Sequence, residues 1–106
     1  MRSDEFIEPW FAIDAERGAT LVRELRNEIC RDHVLNGRSV RAVAMRQDCD
    51  DVLFEITDSP AGYAVVHLTW STKKESDRRF PFTELFPLFD DFVVKRMKPD
   101  HEDFAA

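Results

Sequence analysis

The sequence predicts an α+β fold, a two-layer αβββα sandwich in which a three-stranded antiparallel meander carries two helices on one face. Three observations lead there. An early segment, "DAERGATLVRELRNEICRDH", repeats its apolar residues at helical spacing. Three consecutive β-rich segments follow, separated by short turn-forming stretches. A Phe-rich segment near the end then returns to the helical period.

Taken in order, residues 1–13 hold Phe6, Ile7, Trp10, Phe11 and Ile13 between acidic groups. That much apolar surface is costly to leave in water, so this arm is expected to pack on the domain. The first helix places Leu21, Val22, Leu25 and Ile29 on one stripe. Asp14 suits its N-cap, and Glu16 complements the helix dipole. Gly18 weakens a helix by about 1 kcal/mol relative to Ala, unless it serves a close approach. "NGR" at 36–38 breaks the pattern.

The strands are expected at 39–47, 52–57 and 63–71, with "DCDD" and "DSPAG" as turns. Connections this short imply an antiparallel meander. "TKKESDRRFP" reads as a charged loop and "TELF" as a lead-in turn. The last helix then starts near Pro87 and presents Phe86, Phe89, Phe92, Val93 and Met97. Pro99 is expected to stop it, leaving residues 99–106 as a tail within a single domain spanning 1–106.

Alternation sorts the strand residues into two faces. Ala64, Val66, Leu68 and Trp70, with Val52, Phe54, Ile56, Val40, Ala42 and Ala44, are expected beneath the helices. The opposite face would carry Val43, Met45, Leu53, Tyr63, Val65 and His67 beside Glu55 and Thr69. It is too apolar to be simply wet and too polar to be core. Such a face suggests a partner surface, a second copy of the chain, or cover by a terminal arm.

Composition bounds the function. The chain has 106 residues, 43% of them hydrophobic with nine Phe, which suits one domain with a real core. The formal charge of −6 repels phosphate backbones, so nucleic acid is not an expected partner. Cys30 and Cys49 form neither a CxxC nor a zinc-like spacing. No segment reads as a signal peptide or a membrane span, so a cytoplasmic protein is expected.

The stretches "DHVLNGRSVRAVAMRQDCDDVLFEI", "VVHLTWS" and "PDHEDF" resemble a group of small bacterial proteins. The likeness covers most of residues 20–103, and "DDVLF" and "HLTW" are its most specific pieces. It implies one compact bacterial domain; it brings no established activity and carries over no catalytic residue.

Among single residues, His67 is the sharpest candidate. On the outer face it would lie near Glu55, whose carboxylate could orient the imidazole as a general base, with Tyr63 donating a hydrogen bond. The plainer reading is one polar member of a cross-strand pair. Lys73, Lys74, Arg78 and Arg79, with Trp70 at the loop base, could hold an anion, although mixed-sign charge is ordinarily a solvated loop. Cys30 with His33, and His101 with its acidic neighbours, lack the further ligands a metal needs. "DCDD" lacks the Gly and the distal Glu of a calcium loop. Neither a metal nor a cofactor is expected.

Two functions follow. The leading one is a non-enzymatic interaction module that uses Val43, Met45, Leu53, Tyr63, Val65 and His67 on an open sheet face. It would pair with itself as a homodimer or with a basic protein, as an inhibitor or immunity-type factor would. The rival is a small enzyme or anion-binding domain with His67 as base, oriented by Glu55.

Overall fold

The structure, a computed structural model, describes residues 6–106; the arm's first five residues lie outside the described part. The class is α+β, but the sheet is larger than the sequence suggests. Five antiparallel strands lie side by side in chain order: β1 (Trp10–Ala12), β2 (Val40–Arg46), β3 (Asp51–Ile56), β4 (Gly62–His67) and β5 (Thr83–Phe86). The two added strands are the edges. β1 comes from the arm, and β5 is the "TELF" expected as a turn.

Helix α1 (Ala15–Glu28) connects β1 to β2. Asp14 caps it, accepting the Arg17 N–H at 2.8 Å. Gly18 earns its place by close approach, since a Cβ there would stand 3.2 Å from the Ala42 carbonyl oxygen. At the other end the chain runs through α2 (Phe89–Phe92), a π-helical stretch (Val93–Met97) and α3 (Lys98–Ala105). Pro99 does not stop this helix. It lies in the first turn of α3, directly after the widened turn in which the Lys98 N–H bonds the Val93 carbonyl. A wider turn relieves the clash a proline ring makes with the preceding turn. The expected tail is therefore helical.

The helices do not share a face. Leu21 and Leu25 of α1, with Ile29 at its C-cap, pack on Ala42, Val52, Phe54, Ile56, Ala64, Val66 and Leu68. Phe92 and Met97 pack on Trp10, Ala44, Leu53, Val65 and Phe86 on the opposite side. The molecule is a three-layer sandwich rather than a two-layer one. The physical reason lies in the face expected to be open: Leu53 and Val65 are too apolar to leave wet, and the C-terminal helix covers them. Phe6 stacks edge-on against Phe89 at 5.8 Å from the arm side.

A bulge in β2 overturns part of the expected face assignment. Ala42 pairs with Phe54 and Ala44 with Leu53, so Val43 is the extra residue. Parity inverts there. Ala42 lies under α1 and Ala44 under the C-terminal helix, while Met45 packs on the α1 side instead of the face assigned to it. Trp70 is also displaced: β4 ends at His67, and the indole lies beyond it, partly exposed instead of beneath the helix. Among the described residues, no helix is long and apolar enough to cross a membrane.

Candidate functional site

The β3–β4 register decides what His67 meets. Ile56 pairs with Gly62, and counting back from that hairpin sets Glu55 opposite Tyr63 and Asp51 opposite His67. The imidazole Nδ1 lies 2.7 Å from the Asp51 carboxylate. Glu55 instead pairs with the Arg41 guanidinium, four residues along the strand from the expected contact. It does not orient His67.

Asp51 is the hinge of a wider network. Its second oxygen accepts from the Arg96 guanidinium at 2.6 Å. Arg96 also donates to Glu84 at 2.5 Å and to Asp100 at 3.2 Å. Asp100 in turn accepts the Trp10 indole N–H at 2.8 Å and pairs with Arg46 at 3.3 Å. Arg96 thus ties the C-terminal helix to β3 and β5, and through Asp100 to β1 and β2. Burial pushes the Asp51 carboxyl up, but the bonds from His67 and Arg96, with the guanidinium charge, outweigh it and hold the group below the usual range.

A shallow cleft of about 400 Å³ opens here, lined by Asp51, Val65, His67, Phe82, Glu84 and Arg96. The His67 ring is more than half exposed, and Phe82 stands on the lip at 57% exposure. Arg96 is saturated by three carboxylates, so the cleft has a negative rather than a positive character. That favours a cationic visitor over an anion. Among the described residues no hydroxyl or thiol is hydrogen-bonded to His67.

Other expected sites disperse. Val43 and Tyr63 are half-buried under the C-terminal helix, Tyr63 packing 5.6 Å from the Phe89 ring. Leu53 and Val65 are sealed, so of the six residues assigned to an open face only His67 is exposed. Lys74 sends its ammonium to the Ile29 carbonyl, and Arg79 turns to Asp77 and the Phe80 ring. Lys74 and Arg79 thus face different partners, and Arg78 shares the Asp77 charge with Arg79.

His33 is buried with both nitrogens occupied, Nδ1 accepting the Leu35 N–H at 3.0 Å and Nε2 lying 3.1 Å from the Pro81 carbonyl. This fixes the neutral tautomer with its proton on Nε2, and burial lowers the pKa despite the Pro81 bond. It cannot join Cys30 as a ligand. His101 bonds the Glu8 carbonyl, and Asp48 binds Arg46.

Sequence reasoning missed Asp51, Glu84, Arg96 and Asp100. The first was legible: a hairpin loop centred on Ser59 already sets residue 51 opposite 67. The others depend on which face the last helix covers, which strand alternation does not encode. In comparisons with known proteins, no family model, no curated protein and no solved structure matches this chain.

Proposed function

We propose that this domain is a non-enzymatic interaction module that takes a basic protein segment at the β5 edge, seating a Lys or Arg side chain in the His67 cleft. One observation carries the reading: a net-acidic cleft whose own guanidinium is already satisfied, with an exposed Phe82 at its mouth. The alkyl stem of a cationic side chain would lie on Phe82, and its charged head would meet Glu84 and Asp51. β5 is a sheet edge, and Leu85 on it and Leu88 just past it are exposed as well. An extended segment can extend such an edge by main-chain bonds. The net charge of −6 favours a basic partner over a second copy of the chain, because like-charged copies repel. A basic toxin met by an inhibitor or immunity-type factor is a partner of this class.

The test is an NMR titration with an extended Lys- and Arg-rich peptide. Shifts are expected at Asp51, His67, Phe82 and Glu84. Phe82→Ala, which changes no charge, is expected to weaken binding by about threefold to tenfold. Equal affinity in Phe82→Ala, or shifts spread over the whole acidic surface, would sink the proposal.

A second reading rests on the 2.7 Å contact between His67 and Asp51. A carboxylate that fixes one ring nitrogen leaves the other turned to the cleft, the arrangement of a general base. Its test is a thermal-shift panel of small metabolites on wild type and His67→Ala. A compound that stabilises only the wild type supports it, and identical panels dismiss it.

A further inference from the structure

On the opposite face of the sheet, Glu24 and Glu28 stand one turn apart on α1, and both are buried. They hold the loop between β4 and β5 by its backbone. Glu28 accepts the N–H groups of Thr69 at 2.9 Å and Trp70 at 2.8 Å. Glu24 accepts that of Thr72 at 3.1 Å. The Glu75 N–H closes the turn on the Glu28 main-chain carbonyl at 2.8 Å.

The loop is held in a form it would not choose alone. Trp70 and Thr72 both adopt left-handed backbone, at φ of 56° and 57°, which disfavours side chains of their size. The alternation turns successive N–H groups inward, as in an anion-binding nest. Here the acceptors are the protein's own carboxyl groups.

Among the described residues neither carboxylate has a salt-bridge partner. Lys74, on the same loop, gives its ammonium to the Ile29 carbonyl instead, and Glu75 adds a further acid. Two buried carboxylates so close repel when both are ionised.

We infer that Glu28, buried one turn from Glu24, is a protonation latch, which clamps the β4–β5 loop while its carboxyl holds a proton and loosens it when that proton is lost. Burial, with the neighbouring Glu24, raises the Glu28 carboxyl to about 7, against the opposing pull of the Thr69 and Trp70 bonds. The latch therefore works near neutrality. Trp70 also walls a cavity of about 510 Å³ shared with Asp14, Arg17, Leu21 and Met45, so release of the loop would reshape that cavity.

The experiment uses the full chain without any partner, so its outcome is independent of the binding proposed above. Glutamate side-chain carbons and backbone amides are followed by NMR from about pH 5 to about pH 9. Glu28 is expected to titrate near 7, with the amides of Thr69, Trp70 and Thr72 moving at the same midpoint. Glu28→Gln, which keeps both an acceptor and a donor as the protonated acid does, is expected to fold and to abolish that transition. The inference fails if Glu28 titrates in the ordinary carboxylate range, or if the three amides stay still through its titration. It fails equally if they titrate unchanged in Glu28→Gln, because a histidine would then be responsible.

Discussion

One face of the sheet partly buries its carboxylates and the other buries them fully, and the two accommodate them by opposite means. On the C-terminal-helix side, Asp51, Glu84 and Asp100 converge on Arg96, and Arg46 adds a second positive charge. On the α1 side, Glu24 and Glu28 meet main-chain N–H groups and each other, with no salt-bridge partner among the described residues. A guanidinium neutralises, whereas a backbone amide only solvates. The pH signs therefore oppose each other. Asp51 is held below its ordinary value, so its contribution is present above that value and fades as pH falls through the lowered one. Glu28 is raised from 4.5 to about 7, so its contribution is complete at acid pH and is lost as pH climbs through about 7.

The largest test of this contrast removes the neutralising charge. Arg96→Met leaves three carboxylates facing one another without their main partner, and is expected to cost about 3–5 kcal/mol in urea unfolding at neutral pH. A loss under about 1 kcal/mol would show that water, not Arg96, solvates the cluster. Next comes Glu28→Gln. Relative to this variant, the wild type is expected to lose on the order of 1–2 kcal/mol between about pH 5.5 and about pH 8. A difference that stays flat, or that runs the other way, would erase the distinction between the two faces.

Smaller effects sharpen it. His67→Ala removes a partner that is 54% exposed, so a loss of less than about 1 kcal/mol is expected, far below that of Arg96→Met. Glu55→Gln breaks only the solvent-facing pair with Arg41 and is expected to change stability by a few tenths of a kcal/mol. If Glu55→Gln matched His67→Ala in both stability and peptide binding, the choice of Asp51 over Glu55 as the working carboxylate would lose its basis.

Much of the fold was legible because it is local. Asp14 caps α1, the stripe of Leu21, Leu25 and Ile29 faces a core, and the central strands follow their turn residues. The misreadings share a non-local cause. "TELF" becomes a strand only because β4 offers it an edge, and Trp10–Ala12 because β2 does. Helix placement failed because alternation shows that a face is apolar without saying which segment covers it. Trp70 failed for a third reason: its backbone is set by carboxylates 42 and more positions earlier in the chain. No window centred on "HLTW" contains them. His67 was found by its residue type and position, but Arg96 has no local signal, because its partners lie on β3, β5 and its own helix.

The irregularity at Val43 has one further effect. Because side-chain parity inverts midway along β2, one strand feeds Ala42 into one hydrophobic interior and Ala44 into the other. Slippage of that strand by a single position would expel an apolar group from both interiors together. The two layers of helix thus share one register, set by three consecutive residues of a single strand.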